Sequence, residues 1–388
     1  MNKMLIRITT IPISLEKLLT GQLQFMKNHY QVIAVSSEKS NLENYGNSQD
    51  LDVFFVEMTR KITPLKDFLA IVKLFFYLKK IKPHIVHTHT PKAGLVGMIA
   101  AKLANVPHRL HTVAGLPLLE ATGNKRKILD FVEKIIYKAA TKVYPNSFGL
   151  YEIIKQNNYC SSDKLKVLAN GSSNGIDTSF FNDKLFSEEQ KKSLKYELKI
   201  DEKDLVFIFV GRLVSDKGIN ELVNAFDKLS ILNKKLKLLL VGNFEDKLDP
   251  LKGKTLEILN TNLSIIKAGY QNDVRPYFAI SNTLIFPSYR EGFPNVVMQA
   301  GAMGLPCIVS NINGCNEIIE DNINGIIIPV KNENAIFQAM KEISESNNLW
   351  KQLQSYSREN IVSKYEQKVV WQAILNEYME LEKQHVNV

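Results

Sequence analysis

The chain has 388 residues, of which 45% are apolar and 23% are charged, as in a globular protein of roughly two to three domains. No apolar run approaches the roughly twenty residues that a membrane-spanning helix needs, and the N-terminal stretch lacks a signal-peptide pattern. We therefore expect a cytoplasmic protein, whose three cysteines stay reduced because they lack CxxC spacing and cannot all pair.

The net charge of +9 is concentrated in the first half of the chain. Residues 1–175 contain 24 Lys and Arg against 12 Asp and Glu, whereas the remainder contains 25 against 28. A positive field of this kind favours an anionic partner, such as nucleic acid, an acidic lipid surface or a phosphorylated acceptor. A lysine-rich genome would produce part of the same excess without any functional meaning.

The first half alternates apolar strands with helices, which is typical of α/β domains. Ser14 is placed to cap a helix predicted over 15–27. The helix predicted over 65–82 is more apolar than burial on one side requires, because Phe75, Phe76 and Tyr77 are consecutive. Its surplus apolar surface could enter lipid headgroups, with plain core packing as the alternative. Strands are predicted over 3–11, 30–36, 51–56, 84–87, 107–113, 143–146 and 166–169.

Two Asn-Gly pairs lie within residues 170–177, the most flexible composition in the chain. The α/β rhythm then restarts, with strands predicted over 205–210, 237–241, 265–268, 283–286, 306–309 and 326–330 and three helices after them. We predict a first domain over residues 1–170, a linker over 171–180 and a second domain over 181–364. The last of these helices is predicted within residues 365–388.

Two loops of the second domain carry the chemistry of an anion site. Arg212 and Lys217 follow a buried-type strand on a loop bounded by glycines, and together they suit a doubly anionic group. The stretch from 283 to 304 indicates a strand, a polar loop with Glu291, a helix that begins near Pro294 and a stop at Gly304. The free amides at that helix N-terminus would attract an anion, although an ordinary strand-helix unit gives the same pattern.

Taken together, these elements resemble the retaining glycosyltransferases of family 4 over nearly the full length of the chain. The resemblance implies the GT-B fold, which has two facing Rossmann-like domains with parallel sheets, a cleft between them and a C-terminal helix that crosses back to the first domain. Glu291 matches the first residue of the family's E-x7-E signature, and Gln299 stands where the second Glu is usual. Arg212 and Lys217 match its G-R-x-x-x-x-K-G element.

By this resemblance Arg212 and Lys217 hold the donor diphosphate, Glu291 binds the donor sugar, and Gln299 replaces a carboxylate that binds the ribose. Glu291, Arg212 and Lys217 are the predicted catalytic residues. The remaining predicted donor-binding residues lie at strand ends or around the helix start: Gly211, Gly242, Gly269, Tyr270, Gly292, Phe293, Asn295, Val296 and Gln299.

In the first domain, His87 to Gly94 matches the family's H-x-H-x-P-K-A-G turn. The usual His of the T-x-H-G segment is replaced by Ala114. A basic turn over 123–127 is a second candidate for pyrophosphate or lipid contact. The candidate acceptor or cleft residues are Ser14, His89, Lys92, His111, Lys125 and Arg126.

The resemblance implies an enzyme that moves a hexose or N-acetylhexosamine from a nucleotide-sugar, with UDP as the expected nucleotide, onto a polyprenyl-diphosphate-linked saccharide. It places this step in capsule, O-antigen or related bacterial surface glycan synthesis. It also implies neither metal nor cofactor and peripheral contact with the membrane. Among enzymes, the alternative is a nucleotide-sugar epimerase of the same fold. A separate alternative is a donor-binding subunit that has no catalytic activity. A basic nucleic-acid-binding protein is the alternative outside that class, but its stacking aromatics and motifs are missing, so we expect no nucleic acid partner.

Overall fold

The computed structural model describes residues 3–245 and 249–386, which divide into two compact units. Unit 1 contains the described residues up to Gly175 together with those from Gln367, and unit 2 contains the described residues from Ile176 to Glu366. Each unit has a six-stranded parallel sheet with helices around it. The predicted α/β fold class is therefore confirmed.

The sheet of unit 1 has the strand order β3-β2-β1-β4-β5-β6. Its inner strands are short apolar runs that are buried on both faces, as parallel sheets covered by helices require. The strands are β1 (Met4–Ile8), β2 (Gln31–Ser36), β3 (Asp52–Phe55), β4 (Ile85–Thr88), β5 (His108–Val113) and β6 (Lys142–Pro145). The helices are α1 (Pro12–Leu18), α2 (Gln22–Lys27), α3 (Lys39–Gln49), α4 (Pro64–Ile81), α5 (Pro91–Leu103), α6 (Gly123–Ala139) and α7 (Phe148–Gln156).

The sheet of unit 2 has the order β12-β11-β10-β7-β8-β9. Its strands are β7 (Leu205–Val210), β8 (Leu236–Val241), β9 (Ile265–Gly269), β10 (Thr283–Phe286), β11 (Cys307–Ser310) and β12 (Gly325–Ile328). Its helices are α8 (Glu188–Glu197), α9 (Ile219–Leu232), α10 (Gly253–Thr261), α11 (Arg275–Ala279), α12 (Asn295–Ala302), α13 (Cys315–Ile318), α14 (Glu333–Glu345) and α15 (Asn347–Tyr365). The final helix of the chain, α16 (Gln367–Val386), belongs to unit 1.

Both sheets have the doubly wound strand order. The first three strands are added towards one edge of the sheet, and the fourth to sixth strands are added towards the other edge. The strand order reverses between β1 and β4 in unit 1 and between β7 and β10 in unit 2. Ligands of open α/β sheets bind at the carboxyl ends of the strands beside such a point. The loops after β7 and β10 therefore lie at the place where sheets of this kind bind ligands.

Helix α16 packs on the sheet face of unit 1 that also carries α1 and α2. Val370, Ile374 and Tyr378 join one buried cluster with Leu5 of β1 and Leu23 of α2. Within the part of the chain that the structure describes, no helix is long and apolar enough to cross a membrane.

Three expectations for the first half were wrong: the single helix over 15–27, Ser14 as its N-cap and the strand over 166–169. The helix predicted over 15–27 is two helices, α1 and α2, because Gly21 takes a left-handed conformation with φ of 75° between them. Ser14 lies inside α1, whose N-cap is Ile11 and whose first residue is Pro12, a residue suited to the first turn. Residues 166–169 form no strand, and only a single bridge between Val143 and Leu165 extends the sheet there.

Candidate active site

Glycines let the backbones after β7 and β8 come together at the carboxyl edge of unit 2. Gly242 has φ of 147°, and a Cβ placed on it would lie 1.8 Å from the carbonyl oxygen of Gly211. No larger residue fits at position 242 without moving that backbone. The Gly242 amide also donates to the Gly269 carbonyl oxygen at 2.8 Å, so three neighbouring strand ends form one edge.

The central feature of this edge is an ion pair between Lys217 and Glu291. Lys217 follows β7 and Glu291 follows β10, so the pair bridges the point where the strand order reverses. The Lys217 Nζ donates to Glu291 Oε1, and both side chains are about one-sixth exposed. Each charge is thus partly shielded from water yet reachable, which strengthens its interaction with a bound ionic ligand.

A close contact between the two loops fixes this pair. Gly218 has φ of 73°, and a Cβ there would lie 2.2 Å from the carbonyl oxygen of Pro287. The loop after β7 therefore rests directly on the loop after β10. The Ser288 hydroxyl also donates to Glu291 Oε1 at 3.0 Å, so the carboxylate keeps a partner when Lys217 turns to a ligand.

Arg212 points from the same loop as Lys217 but is held differently. Its Nη1 donates to Glu245 Oε2 at 2.8 Å, and this hydrogen bond raises the pKa of the already strongly basic guanidinium. The two side chains are 49% and 34% exposed, so the pair is weak and exchangeable. Arg212 can therefore leave Glu245 for a phosphate, which a guanidinium binds in a fork of two hydrogen bonds.

Helix α12 follows Glu291 and begins at Asn295, with Pro294 as its N-cap instead of its first helical residue. The Asn295 side chain is exposed and Gln299, one turn later, is half-buried. Val296 is half-buried beside them. The first-turn amides and the positive end of the helix dipole thus lie a few residues from Glu291, in the arrangement that attracts an anion.

The loop after β11 is hydrogen-bonded to the backbone of the Glu291 loop. The Asn313 side-chain amide donates to the carbonyl oxygens of Gly292 at 2.6 Å and of Glu291 at 3.2 Å. Cys315 is buried next to it, and burial, with the neighbouring Glu291 carboxylate, raises the pKa of its thiol. The thiol therefore stays protonated and serves as packing.

The remaining predicted donor-site residues of unit 2 lie at the same edge. Tyr270 directly follows Gly269 at the end of β9 and is 66% exposed, with a ring free to stack on a flat ligand. Phe293 is half-buried, and its ring centroid lies 5.5 Å from that of Tyr365. Phe293 therefore anchors the loop to the core of unit 2.

In unit 1, His87 is a structural residue. Its Nδ1 lies 2.5 Å from the Tyr378 hydroxyl of α16 and its Nε2 lies 2.7 Å from the Thr112 hydroxyl of β5. The Tyr378 hydroxyl also accepts from the buried Arg7 at 2.6 Å. Burial first, and then the charge of Arg7, lowers the pKa of His87, so the ring is neutral.

His89 lies just beyond the end of β4 and is only 2% exposed. Its ring stacks obliquely on His87 with centroids 4.2 Å apart, and neither ring nitrogen has a hydrogen-bond partner among the described residues. Burial lowers its pKa well below the ordinary value. His89 is thus a neutral imidazole with unused hydrogen-bonding capacity at the carboxyl edge of the sheet.

The His111 side chain lies on the face of the sheet opposite to the one that carries His87. Its Nδ1 lies 2.7 Å from the Thr88 hydroxyl, and its ring packs against Gly94 of α5, where a Cβ would come within 2.6 Å. Burial lowers the pKa of His111 to about 3.

The other candidates of unit 1 are spread along the helices. Lys92 pairs with Asp67 at 2.5 Å with both side chains about one-tenth exposed, which ties α5 to α4. Arg126 pairs with Asp130 at 3.0 Å and donates to the Leu118 carbonyl oxygen at 2.8 Å, whereas Lys125 is exposed. Ser14 is half-buried in α1.

Several residues that shape the site were not predicted. Glu245, Ser288 and Asn313 hold Arg212, the Glu291 carboxylate and the Glu291 backbone respectively. Each lies within a loop that the sequence places at a strand end. Glu245 and Asn313 have partners in other loops, whereas Ser288 contacts Glu291 within the same loop. In the described ranges, no group of three or more His, Cys, Asp or Glu is arranged to hold a metal ion.

Two family models match the chain. The model described as Glycosyl transferase 4-like matches residues 17–147, and the model described as Glycosyl transferases group 1 matches residues 190–360. Each match lies within one of the two units.

Curated relatives match over most of their length. The capsular polysaccharide biosynthesis glycosyltransferase CapM of Staphylococcus aureus is 29% identical over 378 residues, 97% of both chains. The UDP-Gal:alpha-D-GlcNAc-diphosphoundecaprenol alpha-1,3-galactosyltransferase of Escherichia coli is 30% identical over 324 residues, 81% of this chain and 80% of its own. Among solved structures, HepE of Anabaena in complex with UDP superposes with a TM-score of 0.81 at 16% identity, covering 98% of this chain and 100% of its own.

Proposed function

Since this chain belongs to glycosyltransferase family 4 and has its GT-B fold, we propose that it transfers a hexose or N-acetylhexosamine from a UDP-sugar to a polyprenyl-diphosphate-linked saccharide. The named relatives from S. aureus and E. coli support a role in a bacterial surface glycan, and the E. coli name supports the UDP donor and the lipid diphosphate. The observation that carries the proposal is the Lys217–Glu291 pair at the reversal point of unit 2, beside the exchangeable Arg212.

In the proposed reaction, the bond between the sugar C1 and the diphosphate oxygen breaks and the acceptor hydroxyl oxygen bonds to C1 on the same face. The anomeric configuration is thereby retained. Lys217 and Arg212 bind the diphosphate as its negative charge grows, and the first-turn amides of α12 add to this stabilisation. Glu291 accepts hydrogen bonds from sugar hydroxyls, and the leaving diphosphate takes the proton of the acceptor. Two cationic side chains thus take the charge-stabilising role, so no metal or cofactor is assigned.

Unit 1 is assigned to the acceptor and to the membrane. The first half of the chain holds the whole basic excess, which suits an acceptor bearing a diphosphate. The neutral ring of His89, with both nitrogens unused, suits a ligand hydroxyl at the carboxyl edge of the sheet. Lys125 extends the basic surface at the start of α6.

Helix α4 is the surface proposed to contact the membrane. Leu65, Phe68, Leu69 and Phe76 recur at helical spacing and are each more than half exposed. Phe75 and Tyr77 instead pack inward, the latter stacked on Phe54 with ring centroids 3.6 Å apart. An exposed apolar stripe beside basic residues matches an anionic lipid surface, since the stripe enters the headgroup layer and the cations contact phosphate. The basic residues assigned to the lipid are Lys73, midway along α4, and Lys79, Lys80 and Lys82 at its C-terminal end.

We also propose that the enzyme acts at the cytoplasmic face of the cell membrane. Its test is co-sedimentation with vesicles of anionic phospholipid at low and high salt. Binding should weaken at high salt and on neutralising Lys79, Lys80 and Lys82 together. Neutralising Lys341 of α14 serves as the control, and binding that ignores the triple change contradicts the membrane assignment.

The donor assignment is tested by calorimetry. UDP, GDP, ADP, NAD and a short duplex DNA are titrated into the intact chain and into Arg212→Ala at two salt concentrations. We expect saturable UDP binding that is weakened by Arg212→Ala. Salt-sensitive DNA binding without nucleotide binding would overturn the proposed function.

A further inference from the structure

Three ion pairs lie at the carboxyl edge of unit 2, and each joins a cation to a carboxylate of the protein. They are Arg212–Glu245, Lys217–Glu291 and Arg290–Asp216. Each pair has no net charge, so these three cations do not form the strongly positive cluster that they would form alone. An anion that binds at this edge therefore enters among negative charges as well as positive ones.

Glu245 is the most exposed of the three paired carboxylates. Its side chain is 34% exposed, against 17% for Glu291 and 22% for Asp216. Glu291 and Asp216 belong to the two loops that rest on each other, after β7 and β10, whereas Glu245 follows β8. The charge of Glu245 can therefore be removed without disturbing the contact between those two loops.

Backbone contacts keep the Glu245 segment beside Arg212. Leu213, directly after Arg212, forms a bridge with Phe244. The Leu213 amide also donates to the Asn243 carbonyl oxygen at 2.8 Å. The chain itself thus holds the Glu245 carboxylate in place when the guanidinium turns to a phosphate. A phosphate bound by Arg212 then has this negative charge on the far side of the guanidinium.

Two ligands that Arg212 could hold in this way differ in charge at the outer phosphate. In UDP that phosphate is terminal and, like other phosphate monoesters, has a second pKa near 6, so it carries about two negative charges at pH 8. In a UDP-sugar the sugar is esterified to the outer phosphate, which then carries about one negative charge. Repulsion from a fixed carboxylate grows in proportion to the charge of the ligand.

We propose that Glu245 is a specificity-determining residue, which favours the intact UDP-sugar over free UDP. This rests on the proposed function, in which Arg212 binds the donor diphosphate. The Glu245 carboxylate repels both ligands, but it repels free UDP more strongly because the outer phosphate of UDP carries the larger charge. After sugar transfer the same repulsion speeds the release of UDP. A purely orienting role for Glu245 predicts the opposite, since both ligands would bind more weakly without it.

The proposal is tested by calorimetric titration of the intact chain at about pH 8 with UDP and with the β-methyl ester of UDP. The two probes share the nucleoside and both phosphates and differ by about one negative charge, so the identity of the donor sugar does not enter the comparison. The variants are Glu245→Gln, which removes the charge, and Glu245→Asp, which keeps it. The matched control is Glu333→Gln, because Glu333 pairs with Lys228 on the surface of the same unit and is 32% exposed. Thermal unfolding confirms that each variant is folded.

We expect each charge on the outer phosphate to be worth about a factor of three in affinity across a solvated guanidinium. Glu245→Gln should therefore tighten UDP binding about tenfold and binding of the methyl ester about threefold, which changes the ratio of the two affinities about threefold. Glu245→Asp and Glu333→Gln should leave that ratio as it is in the unchanged chain.

An unchanged ratio in Glu245→Gln, an equal change in Glu245→Asp, or weaker UDP binding in Glu245→Gln overturns the proposal. Binding of UDP without any binding of the methyl ester also overturns it, because the site would then prefer the larger charge. The same titrations separate the two ideas. A chain that binds UDP without the expected shift loses only the role of Glu245, whereas an unchanged chain that binds neither probe loses the proposed function.

Discussion

Replacing Lys217 by Met tests the electrostatic role of the Lys217–Glu291 pair. The substitution keeps most of the side-chain length and removes the charge. A charge-assisted hydrogen bond contributes about 1.5–3 kcal/mol, and each 1.4 kcal/mol is a factor of ten in affinity, so the full loss would be about 10- to 150-fold. Because Glu291 already satisfies Lys217 without nucleotide, part of that energy is realised beforehand. We therefore expect UDP affinity to fall about tenfold.

The stability of this variant should change little. Glu291 keeps the hydrogen bond from Ser288 at 3.0 Å and remains partly exposed to water, so its carboxylate is not stranded. We expect a cost of about 1 kcal/mol. The assay is calorimetric titration of UDP, with Lys228→Met as the matched control because Lys228 pairs with Glu333 on the surface of the same unit. A folded Lys217→Met protein that binds UDP as tightly as the control would show that the Lys217 charge does not contribute to nucleotide binding.

Three further changes probe the fold. Gly242→Ala should destabilise unit 2 by about 3 kcal/mol or more, because the added Cβ would collide with the Gly211 carbonyl oxygen. Gly269→Ala should cost about 1 kcal/mol, because Gly269 has φ of 67° but open space around it. Equal unfolding midpoints for the two variants would contradict this expectation. Tyr378→Phe removes the hydroxyl shared by two buried side chains and should cost about 2–3 kcal/mol in denaturant unfolding, against about 0.5 or less for the exposed Tyr356→Phe. His111→Gln should flatten the pH dependence of stability, as explained next.

The sign of that pH effect follows from burial. The folded-state pKa of His111, about 3, lies below the ordinary value of 6.5, so only the unfolded chain binds a proton between these values. Burial of the neutral His111 ring does not lower the free energy of unfolding above about pH 6.5. As the pH falls from 6.5 towards 3, it lowers the free energy of unfolding by about 1.4 kcal/mol per pH unit. His111→Gln should remove one proton from the slope measured between pH 6 and pH 4, and an unchanged slope would show that His111 does not remain neutral in the fold.

The main architecture could be predicted from the sequence because it depends on local patterns. Apolar runs ending in glycine, such as those before Gly211 and Gly242, fix both the strand and the edge where ligands bind. The polar loop and helix after β10 could likewise be predicted from Pro294 and Gly304, although the helix starts one residue later than predicted.

What could not be predicted depends on partners distant in sequence. His87 is predicted as a strand residue, which the structure confirms, but its contact with the Tyr378 hydroxyl, 291 residues away, could not be predicted. The pairing of Arg212 with Glu245 and the side of the sheet that His111 faces depend on tertiary packing in the same way. The break between α1 and α2 follows from Gly21, which has φ of 75°, and a Cβ there would lie only 2.7 Å from the Trp371 ring, a contact with a residue distant in sequence.

The proposed reaction is sugar transfer from a nucleotide to a lipid-linked acceptor. The most direct measurement incubates the chain with UDP-hexoses and UDP-N-acetylhexosamines and with undecaprenyl-diphosphate-linked saccharides, and follows the acceptor by mass spectrometry and the new linkage by NMR. We predict a gain of one sugar with the anomeric configuration of the donor, and a rate about 10²- to 10³-fold lower in Glu291→Gln while UDP binding persists. An epimerised nucleotide-sugar with no change in the acceptor, or transfer that is indifferent to Glu291→Gln, would contradict the account.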